Sequence, residues 1–318
     1  MTARTAGQGT RSGTGSDKAG RRVSLRDLFD PCPAPPPGRP GDPGLYGPGS
    51  AVWTVARERA LLAGGGAALL LQLAHPKVAA GVAQHSGFRR DPFARLRATL
   101  DAMLLVTFGD RRQALDAARE VAAVHRRVRG RLPTAAGPFA AGEPYAASDP
   151  DLALWVHATL VRSALGAFER FVRPLAPGEA QAYYREMATQ AELFGVPSSL
   201  LPEDLAAFDA YVDGMVRGGP IVVSAEARAL APHVLRPPAP PAVRAAMGAM
   251  AVVTAGFLPE RLRSDYGLPW GTRDAAVFGM IARAARASVP FLPAGRRFWP
   301  HHQVALRRIA ANGRAPGA

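Results

Sequence analysis

Arg111-Arg-Gln-Ala-Leu-Asp-Ala-Ala-Arg-Glu-Val-Ala-Ala-Val-His125-Arg-Arg-Val-Arg129-Gly130 places apolar residues at 114, 115, 118, 121 and 122, and an imidazole closes that face at 125. Spacing of three and four residues is the period of an amphipathic helix, and alanine, leucine, arginine and glutamate all favour it. The same period recurs along the chain from Val52 onward. It predicts helices near 52–72, 76–86, 93–108, 111–130, 150–173, 178–195, 203–217, 240–255, 271–287 and 301–311. Asp149-Pro150 and Pro177-Gly-Glu179 are good helix starts, because a cap or a first-turn proline breaks no helical hydrogen bond. No stretch alternates convincingly with period two. The expected fold is therefore all-α, a single multi-helix domain over 49–313 after a Gly-, Pro-, Ser- and Arg-rich leader over 1–48.

The 318 residues are 48% hydrophobic, enough for a sizeable core, and carry a formal net charge of +14. Lys18 and Lys77 are the only lysines, so arginine supplies nearly all of the positive charge. Compact basic runs with interleaved aromatics, zinc-finger spacing and RNP-like segments are missing, so no specific nucleic-acid partner is expected. The one cysteine, Cys32, lies in a proline-rich stretch that reads as unburied; it excludes an intramolecular disulfide and argues against thiolate-ligated haem. The longest apolar window, Ala60 to Leu71, is short of the ~20 residues that cross a bilayer. Arg21-Arg22 is not followed by the apolar run that export requires, so the chain reads as cytoplasmic.

Seven histidines stand at 75, 85, 125, 157, 233, 301 and 302. None pairs as His-Glu-x-x-His or Glu-x-x-His, which disfavours zinc hydrolase and di-iron chemistry. His301 and His302 are neighbours, pointing ~100° apart on a helix, and read as surface residues. Gly64-Gly-Gly66 has no preceding strand to make it a phosphate loop; its small residues would admit a neighbouring helix or a flat cofactor. His125 is left either as an iron ligand or as a core histidine satisfied by a carbonyl. Upstream, Arg95 and Thr99 share one face of a helix, flanked by Leu96, Leu100, Met103 and Leu104 as plausible pocket wall.

Longer motifs add to this. Gln72-Leu-Ala-His75-Pro-Lys-Val-Ala-Ala-Gly81-Val-Ala-Gln-His85-Ser-Gly-Phe, Asp91-Pro-Phe-Ala-Arg95-Leu-Arg-Ala-Thr99, Phe108-Gly109, His125-x-x-Val128-x-Gly130, Tyr145-Ala-Ala-Ser-Asp149-Pro and Trp155-Val-His157-Ala-Thr-Leu-Val follow one another in order. Over roughly 50–220 this series resembles the mycophenolic-acid-pathway oxygenases and rubber oxygenases. The resemblance implies a globin-like helical core holding haem b, with dioxygen as co-substrate. His125 would be the axial ligand to the iron, Arg95 and Thr99 would face the other side of the haem, and Arg129 and His157 would support it. Rubber oxygenases can carry a lysine just before the threonine; Ala98 stands there, so no lysine-capped iron is expected. The implied activity is oxygenation of a hydrophobic, unsaturated, isoprenoid-like small molecule, with cleavage of a carbon–carbon double bond. The alternatives are a peroxidase-like haem enzyme and a non-catalytic helical haem-sensing or anion-binding protein.

Overall fold

The computed structural model describes residues 32–87, 91–236 and 240–311. Helices dominate: α1 (Ala51–Ala56), α2 (Leu62–Leu73), α3 (Pro76–His85), α4 (Pro92–Phe108), α5 (Arg111–His125), α6 (Pro150–Phe171), α7 (Pro177–Leu193), α8 (Leu205–Gly218), α9 (Ala225–Leu235), α10 (Pro241–Phe257), α11 (Glu260–Asp265), α12 (Thr272–Ser288), α13 (Ala294–Arg297) and α14 (Pro300–Ala310). Among the described residues six of them open on proline, where a missing N–H costs nothing. Carboxylates of Asp91, Asp110, Asp149 and Asp204 cap four of the helices.

The hub is α6. Its buried residues, from Leu152 through Trp155, Val161 and Phe168 to Phe171, run all the way round the helix, as a helix packed on every side requires. Trp53, Phe108, Phe168 and Phe208 fill one core cluster, and Leu70, Trp155, Ile221 and Leu230 fill a second, so α6 joins the two. The crossing of α2 over α6 depends on a missing side chain. A β-carbon at Gly64 would stand 2.8 Å from the Ser163 carbonyl oxygen and 3.1 Å from the Ala167 side chain. Gly64→Ala is expected to cost about 1–3 kcal/mol in denaturant unfolding despite the better helix propensity of alanine; a neutral or stabilising change would show that the crossing can open without penalty.

Several expectations are corrected. Residues 32–48, expected within a flexible leader, pack on the body: Cys32 and Tyr46 are buried, and the Gly41 N–H donates to the Arg308 carbonyl at 2.9 Å. The remainder of the leader, 1–31, lies outside the described residues. The helix expected at 52–72 breaks at Glu58, whose extended backbone pairs with Phe298. The helix expected to reach residue 130 stops at His125, and Arg129–Arg131 pairs antiparallel with Pro144–Ala146 as β1 and β2, Gly130 opposite Tyr145. These strands are too short for a period-two signal. Helix α9 was hidden by Pro232 in its last turn and by the proline-rich segment behind it.

His301 and His302 are not surface residues. His301 Nε2 meets Asp101 Oδ1 at 3.1 Å, and His302 is ringed by Trp53, Phe108 and Phe298, with centroids 5.4–5.5 Å away. Burial, assisted by the Arg57 charge, pulls the His302 pKa down to about 4, and burial does the same to His75 and His157. An unfolded imidazole titrates near ~6.5. Between those values the unfolded chain holds more protons, so stability is complete above about 6.5 and falls as pH drops towards 4. His302→Phe keeps the aromatic packing and is expected to flatten the dependence of Tm on pH in that window; an unaltered slope would remove His302 from the linkage.

Candidate active site

The short turn at Gly109-Asp110 folds α5 back along α4. Asp110 makes a reciprocal cap, accepting from the Gln113 N–H at 2.7 Å while its own N–H donates to Gln113 Oε1 at 2.9 Å. A further bond, from the Arg39 N–H to Asp110 Oδ2, ties the turn to the segment before α1. The antiparallel pair brings the last residue of α5, His125, to the same end as the first turn of α4, where Arg95 lies.

His125 is half-buried, and its pKa is lowered, first by burial and then by the Arg95 guanidinium. A helix C-terminus ordinarily favours imidazolium by ~0.3–1 kcal/mol. Here burial and Arg95 act the other way and favour the neutral ring, the form that ligates metal. Arg95 keeps solvent access although burial also lowers its pKa, and it stays cationic. Thr99 Oγ1 donates to the Arg95 carbonyl at 3.0 Å, which leaves the hydroxyl oxygen able to accept.

The other two candidate residues stand on other elements. Arg129 lies on β1, exposed, beyond the turn 126–128, and does not continue the helix of His125. His157 is buried on α6 with Nε2 lacking a hydrogen-bond partner among the described residues, and it opens into a 130 Å³ cavity shared with Tyr184, Arg185 and Glu203.

Much of the motif series builds the frame that holds His125. The chain leaving α5 is fixed where Gly130 passes under Tyr145, whose hydroxyl donates to Gln84 Oε1 at 2.8 Å; a β-carbon on Gly130 would sit 2.7 Å from that hydroxyl. Val128 packs against the same cluster, near Gly81. Gln72 Nε2 donates to Thr159 Oγ1 at 3.0 Å and Trp155 Nε1 to the Leu71 carbonyl at 3.1 Å, locking α2 to α6. His75 caps α3 by accepting from the Lys77 N–H, and His85 packs edge-on against Tyr145, so both have structural roles.

On its adjacent face α4 borders a cavity of 540 Å³, within the ~300–1,000 Å³ typical of small-molecule sites. Leu100, Met103 and Leu104 line it, as the sequence suggested, together with Phe93 and Leu96. Leu96 and Leu100 each follow Arg95 and Thr99 by one residue, about 100° around the helix. Thus α4 carries the polar pair on one side and the apolar wall on the next. The opposite wall comes from α2 and α10. Gly65 opens into the space with no atom near its absent β-carbon, and Met247 and Met250 face it from α10. The glycine run was readable as a place of close approach; that its middle member faces a cavity was not, because the rotation of α2 is set by contacts of Gly64 and Gly66 with other helices.

Residues 52–287 match the family described as ER-bound oxygenase mpaB/B'/Rubber oxygenase, catalytic domain. The chain belongs to this oxygenase family. The match runs past the motif series to the end of α12, so the mpaB/rubber oxygenase domain includes both walls of the large cavity. Uncharacterized proteins of Mycobacterium bovis and Mycobacterium tuberculosis are each 29% identical over 239 residues, covering 73% of this chain and 89% of the relative. No solved structure matches. Among the described residues no helix is long and apolar enough to cross a membrane.

Proposed function

We propose that the protein is a haem b-dependent oxygenase that inserts dioxygen across a double bond of a hydrophobic, isoprenoid-like small molecule. The observation that carries the reading is the placement of His125 beside Arg95, at one end of a helix whose neighbouring face lines a large apolar cavity.

The donor set fits that cofactor. Among the described residues no three His, Cys, Asp or Glu side chains converge to hold a metal ion, so a single imidazole would suit an iron that brings its other donors in a macrocycle. His125 would be the protein ligand, with Arg129 and His157 as supporting residues. When bound, haem supplies the redox chemistry of dioxygen, which no side chain here can perform. The chain's own contributions are positional. Arg95 offers N–H donors where negative charge builds on oxygen. Thr99 stands beside it with its hydroxyl oxygen able to accept. Leu96, Leu100 and Met103 would hold the apolar substrate. In the overall reaction one carbon–carbon double bond is replaced by two carbonyls, and both oxygen atoms of one dioxygen are consumed, so no external reductant is needed.

The purified protein is expected to show a Soret band and, under oxygen, to convert an isoprenoid alkene into two carbonyl products. Turnover with hydrogen peroxide under anaerobic conditions would instead assign a peroxidase-like reaction, and a protein without a Soret band after haem reconstitution would overturn the cofactor.

A further inference from the structure

The walls of the 540 Å³ cavity differ in chemistry. From Phe93 to Leu104 every α4 residue that lines it is apolar, whereas α6 and α7 bring Ser163, Tyr183 and Gln190 to it. These three are between 3% and 7% exposed, yet among the described residues no hydrogen bond joins their side chains to another residue. That is not the habit of this protein: Tyr184, next along α7, donates to the Pro202 carbonyl, and Trp53, Trp155 and Tyr266 likewise reach carbonyls. Taking an amide or a hydroxyl out of water without a partner is costly, so these groups call for one inside the cavity. Burial pushes the Tyr183 hydroxyl up, which keeps it protonated and able to donate.

Gln190 has the fullest capacity of the three, since a carboxamide both donates and accepts. Its place is set by the helix end that follows: Leu193 and Phe194, one turn on, pack on Val106, so Gln190 stands at the Thr107 end of α4. Arg95 lies back along that helix by about 18 Å at 1.5 Å per residue. The charged residues that line the cavity, Glu58, Arg59, Arg296 and Arg297, come from other segments, and α6 and α7 contribute none.

We infer that the cavity binds an apolar chain ending in a neutral oxygen group, a hydroxyl or a carbonyl, seated against Gln190 with the chain running back along α4 towards Arg95. This deepens the oxygenase reading, on which it rests for calling the ligand a substrate: a fixed head sets which double bond along the chain reaches the Arg95 end. A pure hydrocarbon would leave the carboxamide unpaired, and a carboxylate would be drawn out of water against a wall that supplies no cation.

The test is displacement of the neutral dye Nile red from the purified protein, which reads binding without catalysis. Farnesol, β-farnesene and farnesoate share a tail and differ in the head. Gln190→Leu is expected to weaken farnesol roughly fivefold while leaving β-farnesene unchanged; Tyr183→Phe and Ser163→Ala are expected to have smaller effects on farnesol. The unfolding midpoint of Gln190→Leu should hold or rise, because an unpartnered buried amide gives way to an apolar group of similar size. Gly65→Leu, which adds a side chain where nothing lies within 4 Å, is expected to weaken farnesol and β-farnesene alike. Farnesol binding that ignores Gln190→Leu would mean that water alone meets the carboxamide, and a lowered midpoint would give Gln190 to the fold; either overturns the seat. Farnesoate binding more tightly than farnesol would overturn the neutral head. Failure of all the ligands to displace the dye, or indifference to Gly65→Leu, would overturn the cavity as the site. A missing Soret band would touch none of these results and would fault the cofactor alone.

Discussion

Replacement of His125 by alanine is expected to abolish the Soret band and oxygen-dependent turnover together, while the circular dichroism and the unfolding midpoint stay close to those of the parent. The separation is possible because His125 is the last residue of α5 and only half-buried. Alanine is the best helix former, and the packing of α5 on α4 is carried by Ala114, Ala117 and Ala118 rather than by the imidazole. Free imidazole added to the variant should restore part of the band by entering the space left by the side chain. Arg95→Gln gives the contrasting result: haem retained, with turnover lowered by roughly 10²-fold if its N–H groups stabilise charge on oxygen. A His125→Ala protein that keeps its Soret band would transfer the ligand role elsewhere and remove the basis of the proposed function.

The second large effect concerns stability. Glu58 is buried to 1% exposure, and its carboxylate receives three hydrogen-bond contacts from Arg297, at 2.7, 2.9 and 3.1 Å. Arg297→Ala leaves that charge in the interior with, among the described residues, only the more distant Arg57 and Arg173, a change expected to cost about 3–5 kcal/mol. Against a total stability of ~5–15 kcal/mol this is a large share, and Tm should fall by roughly 5–15 °C. Removing both charges at once, as Glu58→Met with Arg297→Met, should recover most of the loss, since the penalty belongs to the orphaned carboxylate. A loss below ~1 kcal/mol in the single variant would mean that Arg57 or solvent takes over the pairing.

Such pairs mark where the sequence could not be read. Glu58 and Arg297 lie 239 positions apart, and His301 and Asp101 lie 200 apart. Nothing in local spacing joins them, so the helix break at Glu58 and the burial of the two adjacent histidines were invisible. Local signals served well by contrast. The starts of α3 through α7, at prolines and aspartates, fall within a residue of those expected, because a cap and a first-turn proline act through atoms three residues away. At the site, the nearness of His125 and Arg95 follows from two consecutive helices joined by the tight turn at Gly109-Asp110. The motif series was legible as a resemblance but silent about roles; Gln72, Gly130, Tyr145 and Trp155 turn out to lock helices in place. The Glu58–Arg297 pair was missed because its members come from a helix break near residue 58 and from α13, a single turn with no periodicity to detect.

One arrangement at the far end of the chain bears on how the protein comes into being. Helix α14, beyond the region shared with the family, is bolted to α4 and to the segment before α1: Arg308 donates to the carbonyls of Asp42 and Phe108 at 2.8 and 2.9 Å, and His301 meets Asp101. A nascent polypeptide emerges from its N-terminal side onward, and α14 leaves the ribosome after the whole family region. The helix that carries Arg95 and the pocket wall therefore receives this fastening only once that region has been made, and an expression fragment cut at the family boundary would be born without it.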